Sequence, residues 1–176
     1  MNKNIPNILT MFRVICIPIF IILFLLNFRY VAAVVFVIAS ITDYFDGNIA
    51  RKYNIVSNFG KLMDPLADKM LVIAALMCLT ETREVNFLCT LIVVLREISI
   101  SSIRLIALEK GEVIAASMWG KYKTATQMIS IVMILFNVYK INNVLYYITY
   151  GLFYISTALV IISLIDYIWN ARKLFK

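Results

Sequence analysis

Four aspartates, Asp43, Asp46, Asp64 and Asp68, are spaced for chemistry. Asp43 and Asp46 are i,i+3 and Asp64 and Asp68 are i,i+4, so on helices each pair projects from one face. Apolar runs adjoin them, at 31–39 and 71–79. An ionisable side chain at membrane depth is costly and marks function. Four carboxylates meeting in one cavity repel one another unless cations lie between them. Oxygen-only donors suit hard ions, Mg²⁺ or Mn²⁺, and two such divalent cations match the charge. Taken singly, each residue has an ordinary structural reading. Asp64 before Pro65 reads as a helix cap and first helical position, Asp46 could pair with Arg51, Asp43 could line a polar seam, and Gly47 could serve close helix packing. A purely structural role does not call for all four at this spacing and depth. The chain has no histidine, which excludes a histidine-ligated zinc, a Ser-His-Asp triad and a phosphohistidine intermediate.

The elements that must position these residues are helices in a bilayer. Of the 176 residues, 62% are hydrophobic, against about 45–50% in soluble domains. The excess falls in blocks long enough to cross a hydrocarbon core of ~30 Å. The expected fold is all-α: a polytopic membrane protein, one domain over 1–176, with six transmembrane helices and a short N-terminal interfacial helix. The interfacial helix is expected at 4–13 and the spans at about 14–28, 30–51, 61–80, 85–108, 118–139 and 144–169. The N-terminal stretch lacks the pattern of a cleavable signal peptide, so the first apolar block reads as a retained span. Cys16, Cys78 and Cys89 lie in or beside apolar stretches without a CxxC, and read as small buried apolar residues.

With the N-terminus in the cytoplasm, all but four of the 17 lysines and arginines fall at cytoplasmic span ends. The exceptions are Arg29, Arg83 and Lys140 on the other side and Arg96 in mid-span. This asymmetry places both termini in the cytoplasm of a multi-pass cell-membrane protein. The net charge of +7 is then a topology signal that also suits anionic lipid head groups. No basic patch is interleaved with exposed aromatics, so nucleic acid is not an expected partner. At ~1.5 Å per residue, Asp46 lies roughly 7 Å and Asp43 roughly 12 Å inward from Arg51. Asp64 and Asp68 lie roughly 6 Å and 12 Å inward from Gly60. The short 52–59 loop favours antiparallel neighbours, so the carboxylates can form two layers in a cavity open to the cytoplasm.

The run Asp43-Tyr44-Phe45-Asp46-Gly47-Asn48-Ile49-Ala50-Arg51, followed by Gly60, Asp64 and Asp68, matches D-x2-D-G-x2-A-R-x8-G-x3-D-x3-D at every fixed position. By this signature the chain resembles the CDP-alcohol phosphotransferase family. The resemblance implies that Asp43, Asp46 and Asp64, with Asp68 contributing, hold two divalent cations against the donor's diphosphate. It implies that Gly47 and Ala50 leave room for the cytidine nucleotide, that Arg51 neutralises a phosphate, and that Gly60 permits the turn into the third span. Asp68 is then the general base for the acceptor hydroxyl, and CMP leaves without a covalent enzyme intermediate.

Over nearly its whole length the chain is also similar to bacterial phosphatidylglycerophosphate synthases. The similar stretches are Asn4 to Thr10 with Arg13, Asp46 to Lys69, Arg96-Glu97-Ile98-Ser99, and Gly120-Lys121-Tyr122-Lys123-Thr124 with Gln127. The run Ser101-Ser102-Ile103-Arg104 departs from a common family pattern of glycine and leucine before the arginine. The resemblance implies CDP-diacylglycerol as donor, sn-glycerol 3-phosphate as acceptor and a homodimer within membrane lipid. Lys61, Arg104, Lys121 and Lys123 are the cations available to the acceptor's phosphate, although the positive-inside rule also predicts bases at these span ends. Arg96 and Glu97, nearer mid-membrane, read as a structural ion pair with partners elsewhere. Within the superfamily the alternative acceptors are an inositol phosphate, serine or phosphatidylglycerol. A cation transporter is the alternative from another class; the apolar runs at 31–39 and 71–79 leave it no polar path across the membrane.

Overall fold

The computed structural model describes residues 5–53, 58–109 and 118–172, with side chains described outside 5–10, 43–53, 58–68, 105, 108–109 and 170–171. The described residues form six α-helices and a short 3-10 turn, without a strand: α1 (Ile5–Leu25), α2 (Arg29–Tyr53), α3 (Asn58–Glu81), α4 (Phe87–Glu109), α5 (Met118–Leu135), the 3-10 turn Val138–Lys140, and α6 (Asn143–Ala171). They group into two units, Met1–Thr82 and Arg83–Lys176.

Asparagines set several of the helix ends. Asn27 adopts φ 64°, a left-handed conformation that asparagine tolerates better than most residues. The Asn27 N–H donates to Phe24 O at 3.0 Å and the Phe28 N–H to Leu23 O at 2.9 Å, closing α1 with a Schellman motif. Asn137, at φ 54°, ends the regular helix of α5, so it stops at Leu135 rather than at the expected 139. Asn142 caps α6, its side chain accepting the Leu145 N–H at 2.8 Å. Asn86 likewise accepts from the Leu88 N–H at 2.8 Å at the start of α4.

Two other bounds differ from expectation. The interfacial helix expected at 4–13 is not a separate element: from Ile5 it is continuous with the first apolar block through to Leu25, with Pro18 inside the helix. Asn4 itself lies outside the described residues. No glycine or proline interrupts the chain at Arg13 and Val14, so nothing there ends the first helix. The third helix starts at Asn58, ahead of the expected 61. Asp64 and Pro65 therefore lie inside α3 and are not its cap, and Gly60 sits in its first turn.

In the first unit α1 packs against both α2 and α3, which make few contacts with each other among the described residues. Its buried stripe runs Arg13, Cys16, Phe20 and Phe24, at the three- and four-residue steps of one helix face. Opposite it, α2 buries Ala32, Ala33, Phe36 and Ala39, and α3 buries Leu71, Ala75, Leu76, Cys78 and Leu79. The alanines let the backbones approach. Phe20 packs on Phe36 with ring centroids 5.8 Å apart, and on Phe24 at 6.0 Å. Cys16 and Cys78 are thus small buried apolar residues, whereas Cys89 is half-buried; all three are free thiols.

In the second unit α6 is the helix against which α4 and α5 both pack. Thr149, Phe153, Ser156, Val160, Ser163 and Tyr167 are buried at alternating steps of four and three, a 3.5-residue seam like that of a coiled coil. Small hydroxyl residues allow close approach, and the two serines satisfy themselves within their own helix. Ser156 Oγ donates to Phe153 O at 2.7 Å and Ser163 Oγ to Val160 O at 3.0 Å.

Among the described residues α6 is the helix long and apolar enough to cross a membrane, over Asn143–Trp169 (27 residues); Met11–Leu25 and Arg29–Thr42 are shorter apolar stretches. Aromatics mark both ends of α6. Tyr139, Tyr146 and Tyr150 cluster with centroids 4.8–6.4 Å apart, and the Tyr139 hydroxyl donates to Glu84 at 2.9 Å. At the other end Arg172 lies 4.4 Å over the Trp169 ring. From Tyr147 to Trp169 is ~33 Å of helix, about the thickness of a hydrocarbon core, with aromatics where interfacial belts form.

The α1–α2 contact should be separable from the exposed surface by mutation. Phe20→Ala should cost about 3–5 kcal/mol, read as a fall in thermal midpoint of the solubilised protein. Ile19→Ala, at a position 43% exposed, should stay within about 0.5 kcal/mol. Equal effects would show that Phe20 does not organise this unit.

Candidate active site

The buried stripes of α2 and α3 lead directly to the aspartates. On α2 the buried positions Phe36 and Ala39 are followed at helical spacing by Asp43, Asp46 and Ala50. On α3 the buried Leu79, Ala75 and Leu71 lead back at the same spacing to Asp68 and Asp64. Both aspartate pairs thus fall in register with helix faces that are buried farther along, in the unit whose central helix is α1. Gly47 and Arg51 belong to the same end of α2, and Gly60 and Lys61 to the first turn of α3. The side chains of these residues, like residues 54–57 of the connecting loop, lie outside the described set.

The donor set fits a hard divalent ion: four carboxylates on two helices, within one unit, with no histidine and no competing thiolate in the motif. Among the side chains that are described, no group of three or more acidic or cysteine residues could hold a metal.

In sequence Arg13 reads as a base near a span end, beside a stretch similar to the family. It is in fact the largest fully buried side chain among those described in its unit, 1% exposed, on the same stripe as Cys16 and Phe20. The signal that could have found it is that spacing, which puts Arg13 on the packing face of α1.

The cations of the second unit occupy distinct environments. Lys121 is exposed. Arg104 is exposed too, its guanidinium 5.7 Å from the Tyr167 ring centroid, a cation–π distance. Lys123 is different. It is 4% exposed, and its ammonium donates to Glu97 Oε1 at 2.5 Å. The same oxygen accepts from Arg96 Nη1 at 2.9 Å, and Arg96 Nε donates to Ser163 Oγ on α6 at 3.2 Å. One carboxylate thus gathers two cations and ties α4, α5 and α6 together. Gly120 makes room for this network: a Cβ there would come within 3.4 Å of Arg96 Nη2. The partners expected for Arg96 and Glu97 are therefore Lys123 and Ser163. Pairing of buried charges is required, because an unmatched one costs several kcal/mol. The serines in the departing run also turn inward on their own helix, Ser101 Oγ donating to Glu97 O at 2.7 Å and Ser102 Oγ to Ile98 O at 3.0 Å.

Comparison with known proteins adds independent findings. The family model for CDP-alcohol phosphatidyltransferase matches residues 3–168. The chain is 39% identical over 179 residues to the CDP-diacylglycerol–glycerol-3-phosphate 3-phosphatidyltransferase of Haemophilus influenzae, covering 98% of this chain and 95% of that one. The protein of the same name from Bacillus subtilis is 41% identical over 143 residues, covering 73% of this chain and 74% of that one. The one from Wigglesworthia glossinidia brevipalpis is 36% identical over 184 residues, the full length of both. With the family model spanning nearly all of a chain whose aspartate signature is intact, the protein belongs to the CDP-alcohol phosphatidyltransferase family.

Proposed function

We propose that this protein transfers the phosphatidyl group of CDP-diacylglycerol to sn-glycerol 3-phosphate, giving phosphatidylglycerophosphate and CMP in phospholipid biosynthesis. The observation that carries this reading is full-length similarity to proteins bearing that one name, combined with the unbroken run from Asp43 to Asp68.

In this reading Asp43, Asp46, Asp64 and Asp68 hold two divalent cations, Mg²⁺ or Mn²⁺. When bound, these ions neutralise the donor's diphosphate and the charge on departing CMP. Gly47 and Ala50 leave space beside α2 for the nucleotide, Arg51 meets a donor phosphate, and Gly60 lets the start of α3 approach it closely. Asp68 accepts the proton of the acceptor hydroxyl. The acceptor oxygen forms a bond to the phosphorus bearing the diacylglycerol, the bond from that phosphorus to CMP's phosphate oxygen breaks, and CMP departs with the electron pair. Lys61, Arg104, Lys121 and Lys123 supply the charge that receives the acceptor's phosphate. The exposure of Arg104 and Lys121 supports this role, whereas Lys123 would act while held by Glu97.

The setting we infer is a homodimer of six-span subunits, with both termini and the active site facing the cytoplasm. The asymmetry of Lys and Arg along the chain supports the orientation. Large exposed apolar side chains on every α-helix, such as Ile15, Val34, Met77, Leu95, Ile129 and Ile165, support lipid contact.

Purified protein given CDP-diacylglycerol and Mg²⁺ should release CMP only when glycerol 3-phosphate is added. Release that ignores glycerol 3-phosphate but follows another alcohol would reassign the acceptor. Absence of release with every acceptor would refute catalysis. Asp68→Asn should lower turnover by about 10²–10⁴-fold, the usual worth of a general base, while the protein still folds and binds Mn²⁺; near-normal turnover would remove Asp68 from that role. Lys123→Ala should raise the KM for glycerol 3-phosphate about tenfold, the worth of about one charge-assisted hydrogen bond, and move the donor's KM less. Parallel shifts in both KM values would leave Lys123 as a packing residue of the Glu97 network.

A further inference from the structure

The buried guanidinium of Arg13 has no part in the chemistry set out above. Among the described side chains it lies on a stripe that is otherwise apolar, with Cys16, Phe20 and Phe24, and is 1% exposed. Arginine does not shed its charge on burial, so its position must answer to negative charge close by.

Helix register indicates which charge that is. The tight turn at Asn27 makes α1 and α2 antiparallel, and Phe20 faces Phe36 with ring centroids 5.8 Å apart. Seven residues back along α1, ~10.5 Å of helix, lies Arg13. Seven residues forward along α2, the same ~10.5 Å, lies Asp43. Arg13, Cys16 and Phe20 follow the buried face of α1, and by helical spacing position 43 falls in the row of Phe36 and Ala39 on α2.

We propose that Arg13 is a positioning residue for the active site: its buried guanidinium is the fixed counter-charge at the level of Asp43. There it holds the metal-binding end of α2 in place and moderates the attraction of the four carboxylates for divalent cations. The second part rests on the metal-binding role of the aspartates; the first does not.

Two signs follow. With no metal present, removing the guanidinium leaves the carboxylates without their fixed counter-charge and destabilises the protein. With metal present, a positive charge that repels incoming cations is gone, so binding tightens while Asp43 is no longer held for turnover. A merely structural defect would weaken both metal binding and turnover.

The test uses the full chain in detergent as wild type, Arg13→Gln, Arg13→Lys, Asp43→Asn and the Arg13→Gln/Asp43→Asn double variant. In EDTA, Arg13→Gln should lower the thermal midpoint by several degrees and Arg13→Lys by much less. In the Asp43→Asn background, Arg13→Gln should cause little further loss; losses that simply add would overturn the pairing. If Arg13→Gln does not fold alone, the double variant decides: the proposal requires it to fold, and its failure would count against the pairing. Mn²⁺ titration followed by electron paramagnetic resonance should show Arg13→Gln binding about threefold tighter, with CMP release slowed about tenfold or more. Weaker Mn²⁺ binding with slower release would refute the moderating role. Wild-type protein that binds no Mn²⁺ would instead refute the metal reading of the aspartates, leaving the comparison in EDTA as the measure of Arg13.

Discussion

Charge inside a bilayer protein must be matched and held, and in the first unit the holding falls to α1. Its face of Arg13, Cys16, Phe20 and Phe24 belongs to the helix that packs against both helices bearing aspartates. The alanines of α2 and the ring of Phe36 are what let α1 come close enough. By helical spacing the aspartate positions fall in the same rows as the buried residues of α2 and α3.

The second unit solves the same problem with a carboxylate. Glu97 accepts from Arg96 and Lys123, and Arg96 reaches Ser163 on α6. The 3.5-residue seam of α6, filled by Ser156 and Ser163 among larger residues, gives α4 and α5 a common surface. Each unit thus has one helix against which its other two pack, and each buries at least one cation on the packing face. Low dielectric strengthens such pairs and penalises any change that removes one member alone.

Much of the candidate site is legible in the amino-acid sequence alone. The offsets from Asp43 to Arg51 and from Gly60 to Asp68 lie within single helices, where 3.6-residue geometry fixes which side chains share a face. The bases are less legible. Lys123 and Arg104 look alike in sequence, both near span ends, where the positive-inside rule predicts them. Only the fold separates them, burying Lys123 against Glu97 and leaving Arg104 over Tyr167. Asp64 before Pro65 resembles a cap, but the start of α3 at Asn58 puts both inside the helix, and chain local to the motif does not reveal that.

By itself the sequence determined the helical class, the aspartate signature and the family, because each rests on spacing along one chain. The tertiary structure decided which helix lies at the centre of each unit, that Arg13 is buried, and that Glu97 is shared between Arg96 and Lys123. Those outcomes depend on partners far apart in sequence, such as Glu97 with Lys123, 26 residues away, and Arg96 with Ser163, 67 residues away. Helical periodicity gives the face a residue occupies; only packing gives what that face meets, and for a buried charge the partner it meets decides its role.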